Sequence, residues 1–217
     1  MPGTVYSHEM PAYRARHDRL PPGDRDNGAW WYSHEIVDRM VPAVETDRPW
    51  VTVNYLGACE DRAIVFVHAN DNPPIYSWLR DFRDLVMVCS TERACRWAAS
   101  LGTPVLLPLS VDLAEVRSHA RPKDRDVAWC GRAERRHEHY VPDGIDLVEG
   151  LPRARFLDEM ARYLRVYAVD RCAVEAKALG CEVIRCPGGP DPGQWRVLDT
   201  LDAAAMLQDE LDRIDGR

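Results

Sequence analysis

The segment from residue 165 to residue 185, RVYAVDRCAVEAKALGCEVIR, constrains the fold of this chain more than any other stretch. It begins with a short apolar strand and turns at Asp170 and Arg171. It then continues as a helix of small residues and ends in a second apolar strand after Leu179-Gly180. This succession predicts a βαβ unit, whose helix begins beside the carboxyl end of a buried strand. In α/β proteins that position binds phosphate groups.

The same alternation of short strands and helices extends over most of the chain. Apolar runs that predict strands lie at 51–56, 63–68, 85–89, 105–109, 126–130 and 145–150. Helical periodicity occurs at 92–100, 152–164 and 198–214. Because the strands are apolar on both faces, they predict parallel sheets that helices cover on both sides. We therefore expect an α/β fold.

The length and one polar segment suggest how the chain is divided. With 217 residues it can form one large domain or two small ones. The polar segment Val116–Asp126 contains Pro122 and is typical of a linker. We expect one small Rossmann-like half at residues 1–120 and another at residues 121–217.

The overall charge and the apolar runs narrow the class of protein. The formal net charge of −7 disfavours polyanionic partners such as nucleic acid. No apolar run approaches the roughly 20 residues that cross a bilayer, and the N-terminus lacks the charged and apolar regions of a signal peptide. These features predict a soluble, cytoplasmic protein without a membrane span.

The cysteine and histidine spacings do not indicate a metal site. The seven cysteines form no CxxC pair and mostly lie inside apolar runs, as buried thiols do in reducing compartments. His137 and His139 alternate as strand neighbours on one face would, but no third ligand is evident. We expect no metal.

Glu175 lies early in the helix of the central βαβ unit, among Ala173, Ala176 and Ala178. One interpretation is a solvated residue that the helix dipole stabilises. The other is a carboxylate that contacts a ligand, because the small neighbouring side chains leave room for a close approach. Local chemistry by itself favours the solvated residue.

Three segments in order along the chain resemble known sequence motifs. The run AVEAKALGCEVI at 173–184 is similar to the C-terminal signature of GT-B glycosyltransferases of the group 1 type. Pro108–Asp112, PLSVD, resembles the segment that closes the N-terminal domain of that family. Ala128–Arg132, AWCGR, resembles the first strand and Gly-Arg turn of its C-terminal domain. The resemblance implies two Rossmann-like halves that face each other across a cleft.

The resemblance also implies a donor-binding site in the second half. Gly131, Arg132 and either Arg135 or Arg136 would contact the donor diphosphate, because guanidinium groups form paired charge-assisted bonds with phosphate oxygens. As an isolated charge run, the same residues would form a solvated face. The helix start at Asp170 and Arg171 would add backbone N–H donors, and Glu175 would accept hydrogen bonds from the ribose hydroxyls.

A polar cluster, HANDN at 68–72, follows one of the first-half strands. Ligands bind at the carboxyl edge of a parallel sheet, so His68, Asn70 and Asp71 are placed to contact one, with Asn70 and Asp71 on the acceptor side. The resemblance implies that His68, the candidate catalytic residue, lies against the donor sugar. An Asx-rich turn before Pro73 would account for the asparagines and the aspartate without any ligand. The resemblance also assigns Gly28 to an acceptor-side loop, although an ordinary turn needs a glycine there too.

The resulting hypothesis is a metal-independent glycosyltransferase of the hexosyltransferase class, which needs no cofactor. It would transfer a sugar from a nucleotide-sugar donor, such as a UDP- or GDP-sugar, to an acceptor that the sequence does not identify. The family has a second glutamate eight residues before the one that matches Glu175, and Tyr167 occupies that position here. One alternative is therefore an inactive nucleotide- or sugar-binding protein. Another is a mobile-element enzyme that glycosylates a nucleobase or a nucleic acid.

Overall fold

The computed structural model describes residues 4–6, 32–33, 35–52, 59–67 and 73–216. They form two units. The first unit comprises the described residues up to Pro108 together with residues 200–216, and the second comprises residues 109–199. The C-terminal helix thus belongs to the first unit, whereas the sequence prediction assigned it to the second half.

The first unit contains a parallel sheet in which five strands follow one another in chain order. These strands are β1 (Val5–Tyr6), β2 (Trp50–Val51), β3 (Ile64–Val67), β4 (Val86–Cys89) and β5 (Thr103–Leu106). Its helical elements are a π-helix (Ile36–Met40) that continues into α1 (Val41–Ala43), a 3-10 helix (Pro73–Asp81), α2 (Glu92–Ala98) and the C-terminal helix (Thr200–Asp215).

Both faces of the central strands in the first unit are buried. One face packs Val65 and Met87 against Tyr76 of the 3-10 helix and the alanines of α2. On the other face Trp50 stacks on Phe66, with ring centroids 6.0 Å apart. This arrangement confirms the prediction of a sheet that is covered on both sides.

Arg48 fixes the amino edge of this sheet. Strands β2, β3 and β4 begin two residues after Arg48, Arg62 and Asp84, respectively. The first residues of these strands are paired with one another in the sheet. Arg48 Nη1 donates to the carbonyl oxygens of Arg62 and Asp84, at 2.9 and 3.0 Å, and Nη2 lies 2.7 Å from Asp215 Oδ1. Because Asp215 ends the C-terminal helix, Arg48 connects that helix to the sheet.

The second unit contains a four-stranded parallel sheet in the order β7-β6-β8-β9. Its strands are β6 (Arg125–Cys130), β7 (Asp146–Val148), β8 (Tyr163–Tyr167) and β9 (Glu182–Ile184). Its helices are α3 (Leu113–Ser118), α4 (Ala133–Glu138), α5 (Arg153–Met160), α6 (Asp170–Ala178) and a short 3-10 helix (Pro192–Gln194). The segment predicted as a linker contains the end of α3 and the start of β6.

The strand order of the second unit creates a topological switch point between β6 and β8. The chain leaves β6 through α4 toward β7 on one side, and returns through α5 to β8 on the other side. Right-handed crossovers therefore place α4 on one face of the sheet, and α5 and α6 on the other. In open α/β sheets, ligands bind outside the carboxyl ends of the strands at such a point.

The architecture confirms the predicted α/β class, with parallel sheets and flanking helices. The βαβ unit predicted at residues 165–185 is β8-α6-β9. Within the described part of the chain, no helix is long and apolar enough to cross a membrane.

Candidate functional site

The turn after β6 brings the backbone to the switch point. Gly131 has φ +150, which favours glycine, and a Cβ on it would lie 3.2 Å from Trp129 Cζ2. The Trp129 indole Nε1 donates to the Arg132 carbonyl oxygen at 3.0 Å. The buried tryptophan thus fixes the Gly-Arg turn from which α4 begins.

Arg135 and Asp170 meet across the switch point. Arg135 lies in α4, which follows β6, and Asp170 begins α6, which follows β8. Arg135 Nη1 lies 2.9 Å from Asp170 Oδ2, and the two side chains are 36 % and 42 % exposed. Burial lowers the pKa of Arg135, but attraction to Asp170 more than offsets it and leaves the pKa above its ordinary value. Asp170 has φ +54, a left-handed conformation that non-glycine residues seldom adopt.

The structure distinguishes between the two arginines that the sequence left open. Arg136 turns away from Asp170, and its Nη2 binds the Pro142 carbonyl oxygen and Asp143 Oδ1, the latter at 2.7 Å. Arg135 is therefore the arginine of the pair at the switch point, as expected for neighbours about 100° apart on a helix. Arg132 is exposed at the N-terminus of α4.

Glu175 and Arg171 belong to a buried charge network beneath this edge. Glu175 is 2 % exposed, and its Oε1 accepts from Arg171 Nε and Arg153 Nη1, each at 2.7 Å. Arg153 also forms a bidentate pair with Glu115, at 3.1 and 3.0 Å. Four charged side chains from α3, α5 and α6 are thus joined in the order Glu115, Arg153, Glu175, Arg171.

The two guanidinium groups keep Glu175 ionised. Burial raises the pKa of its carboxyl group, but the charges of Arg171 and Arg153 more than offset this and lower the pKa below its ordinary value. A ribose hydroxyl at Oε1 would compete with two charge-assisted bonds. The interpretation of Glu175 as a solvated residue is wrong, because two arginines hold its side chain in a buried network. The role of Glu175 toward ribose stays a prediction.

Sequence reasoning missed Arg153 and Glu115. Arg153 is the first residue of α5, where the helix dipole disfavours a positive charge. A cation at a helix N-terminus is therefore a signal that a carboxylate lies nearby. Its partners lie 22 and 38 residues away in the chain, so the pattern does not identify them.

His139 and Tyr140, which follow α4, pack against the loop after β9 at the carboxyl edge of the sheet. His139 accepts a backbone hydrogen bond from Gly188 at 3.2 Å, and its ring lies 6.1 Å from that of Trp129. Neither ring nitrogen of His139 has a hydrogen-bond partner among the described residues. Tyr140 follows with φ +53 and is 73 % exposed. Gly188 allows this packing, because a Cβ there would lie 2.5 Å from Tyr140 Cδ2.

The thiols and carboxylates do not form a metal cluster in the described ranges. No group of three or more His, Cys, Asp or Glu side chains there is placed to hold a metal ion. Cys172, near the start of α6, is a free thiol, and burial raises its pKa to about 12. It is therefore protonated at neutral pH and a poor nucleophile.

Four of the predicted site residues, His68, Gly28, Asn70 and Asp71, lie outside the described residues, and their roles stay predictions. Of the others, the carboxyl edge between β6 and β8 brings together Gly131, Arg132, Arg135 and Asp170. Arg171 and Glu175 lie in the buried network, and Arg136 points elsewhere. Comparison with family models, curated proteins and solved structures finds no match to this chain.

Proposed function

We propose that the protein is a metal-independent glycosyltransferase whose second unit binds a nucleotide-sugar donor at the switch point between β6 and β8. The observation that supports this most directly is the meeting of Arg135 and Asp170 there, beside the glycine turn at Gly131 and the exposed Arg132. Arg135 is partly exposed and lies beside the start of a helix at the carboxyl edge of a parallel sheet. This position is suited to binding a phosphate group.

The donor diphosphate would bind between Arg132, Arg135 and the first turn of α6. A guanidinium group has five N–H donors, and the short contact of Arg135 with Asp170 uses Nη1. Nε lies 3.7 Å from Glu138 Oε2, beyond a normal hydrogen bond, so other donors of the same group can bind phosphate oxygens. The dipole of α6 adds a partial positive charge at its N-terminus, which favours an anion.

In the proposed reaction, the oxygen of an acceptor hydroxyl attacks the anomeric carbon, and the bond from that carbon to the diphosphate oxygen breaks. The hydroxyl proton passes to the leaving diphosphate or to solvent. The leaving diphosphate then gains negative charge, which Arg132, Arg135 and the start of α6 would stabilise. The two units would adopt a GT-B arrangement, and His68 would contact the sugar. The acceptor is left open.

A second candidate is a protein that binds a nucleotide sugar without transferring it. Tyr167 favours this candidate, because it occupies the place of a family glutamate that contacts the sugar. Tyr167 ends β8 and packs against the cluster of Trp129, Val169 and Cys186. An aromatic ring in that cluster offers the sugar no carboxylate.

Calorimetric titration with UDP, GDP, UDP-glucose and GDP-mannose tests the proposal. We expect Arg135→Ala to weaken binding of the diphosphates by about 10- to 100-fold, because a hydrogen bond to a charged group contributes about 1.5–3 kcal/mol. Arg165→Ala is the matched control, since Arg165 forms an exposed ion pair with Asp126 on the same sheet. No binding by the wild type, or equal losses in the two variants, would overturn the proposal.

Nucleotide release separates the two candidates once binding is measured. When no acceptor is present, water can attack the anomeric carbon in its place, which hydrolyses the donor and liberates UDP or GDP. Release that disappears in Arg135→Ala supports the transferase. Tight binding of a nucleotide sugar without any release, alone or with a panel of acceptor sugars, supports the binding protein.

A further inference from the structure

We infer that Tyr140 is the surface on which the base of the bound nucleotide stacks. The inference rests on the proposed function and adds to it a residue that specifies a nucleotide rather than a bare diphosphate. Among the described large apolar and aromatic side chains that are exposed, Tyr140 is the most exposed, at 73 %.

The conformation of Tyr140 is held by the backbone around it. Its φ of +53 is a left-handed conformation that costs a bulky residue free energy. The ring edge at Cδ2 and Cε2 rests on Gly188, where a side chain would collide with it. A hydrogen bond from the Gly188 N–H to the His139 carbonyl oxygen joins the two segments. The ring is thus fixed along one edge, while most of its surface stays in contact with solvent.

The ring of Tyr140 lies at the same edge of the sheet as the proposed diphosphate site. The N–H of His139 donates to the carbonyl oxygen of Arg135 at 3.2 Å, so Tyr140 begins just beyond the helical turn that carries Arg135. Gly188 follows β9, and Asp170 follows β8, which pairs with β9 in parallel. The tyrosine therefore rests on a loop from the same carboxyl edge that carries the Arg135–Asp170 pair.

An aromatic base is the ligand group that matches these features. Stacking on an aromatic side chain requires an exposed ring face and no particular pattern of donors and acceptors. Every nucleobase has such a face. A base on Tyr140 would give the site affinity for nucleoside diphosphates over inorganic pyrophosphate, which has no ring to stack.

Two substitutions test the inference without depending on the fold. Tyr140→Gly removes the ring, and glycine adopts φ +53 freely, so the folded protein should not lose stability. Tyr140→Phe keeps the ring and removes only the hydroxyl. Leu164→Ala is the matched control, because Leu164 is 53 % exposed and lies at the amino end of β8.

Binding of GDP, UDP and inorganic pyrophosphate is measured by calorimetry for each variant, together with its melting temperature. We expect Tyr140→Gly to weaken GDP and UDP binding by about 10- to 100-fold, since one stacked base contributes about 1–3 kcal/mol. Pyrophosphate binding should be unchanged, and Tyr140→Phe and Leu164→Ala should bind all three ligands as the wild type does.

Each outcome decides one question. If GDP binding requires Arg135 and is unaffected by Tyr140→Gly, the stacking role is wrong and the proposed function stands. If Tyr140→Gly weakens pyrophosphate as much as GDP, the residue shapes the phosphate site and does not stack a base. If the wild type binds none of the three ligands, the proposed function fails and the stacking role fails with it.

Discussion

The amino edge of the first sheet and the carboxyl edge of the second each hold an arginine that bonds to an aspartate. Arg48 at the amino edge is 2 % exposed, and two backbone carbonyl oxygens and two aspartates accept its hydrogen bonds. Arg135 at the carboxyl edge is 36 % exposed, and its short contact is to one aspartate side chain. The first guanidinium is enclosed by fixed backbone, whereas the second has a partner that can rotate away.

The difference indicates which charges are available to a ligand. Displacing the two carbonyl partners of Arg48 would require the strand starts to move. Displacing Asp170 from Arg135 requires only a side-chain rotation at a partly solvated site. Glu175, although it lies on the same helix as Asp170, resembles Arg48 in its burial, since each is 2 % exposed. Substitutions can test this difference. Changes at Glu175 and Arg48 should lower stability, whereas a change at the Arg135–Asp170 pair should alter ligand affinity.

The largest effect should come from Glu175→Gln. This change leaves the buried guanidinium groups of Arg153 and Arg171 without their shared carboxylate, and breaking a buried ion pair costs about 3–5 kcal/mol. Urea denaturation measures the loss of unfolding free energy. Glu182→Gln is the control, because Glu182 is exposed on β9. An unchanged denaturation midpoint would show that Glu175 does not hold this network together.

The same carboxylate should make stability depend on acidity. The pKa of Glu175 is lower in the folded protein than its ordinary value of 4.5, because of Arg171 and Arg153. Its contribution is therefore complete above pH 4.5 and is lost as pH falls through the lower, folded-state pKa. We expect the stability gap between wild type and Glu175→Gln to be constant from pH 7 to 5 and to narrow below 4.5. A gap that widens with acid would contradict the sign of this shift.

A smaller loss should follow from Arg48→Met, which keeps most of the buried volume. It leaves the carbonyl oxygens of Arg62 and Asp84 without this donor, while Asp84 is half exposed and can be solvated. We expect a loss of about 1–3 kcal/mol, the cost of a buried acceptor without a partner, because the two carbonyl oxygens are only partly buried. Thermal unfolding measures it, with Arg62→Met as a control because Arg62 forms an exposed ion pair with Asp47. Equal melting temperatures for the two variants would contradict the role given to Arg48.

The sequence predicted the features that depend on local pattern. Strands β3 and β4 are identifiable because every residue in them is apolar, and the structure buries all of these residues. The unit β8-α6-β9 is identifiable because strand, helix and glycine stop occur in order. The resemblance implied that Arg135 or Arg136 shares a donor site with the helix start at Asp170, and the ion pair between Arg135 and Asp170 was not predicted. Periodicity could not choose between Arg135 and Arg136, because the choice depends on where α4 lies against the sheet.

The buried charges could not be predicted, because their partners are far apart in the chain. Lys123 illustrates this: it lies in the segment predicted as a linker, yet its Nζ donates to the carbonyl oxygens of Ala161 and Leu179, at 2.7 and 2.9 Å. These residues cap the C-termini of α5 and α6, where a positive charge is favourable. A lysine in a polar segment has no local feature that indicates such a role.

The smallest effect should come from Asp170→Asn. This substitution tests directly whether Arg135 can exchange Asp170 for a ligand. The substitution removes a negative charge beside the proposed diphosphate and releases Arg135 Nη1 from a charged partner. If a diphosphate replaces Asp170 as the partner of Arg135, pyrophosphate should bind about three- to tenfold more tightly, and less so at high salt because the charges are partly exposed. Calorimetry at two salt concentrations measures this, and Asp126→Asn removes an exposed aspartate from the amino end of β6 as the control. Weaker binding in Asp170→Asn would show instead that the carboxylate holds Arg135 in its binding orientation, and the carboxyl edge would then resemble the amino edge more closely than its exposure suggests.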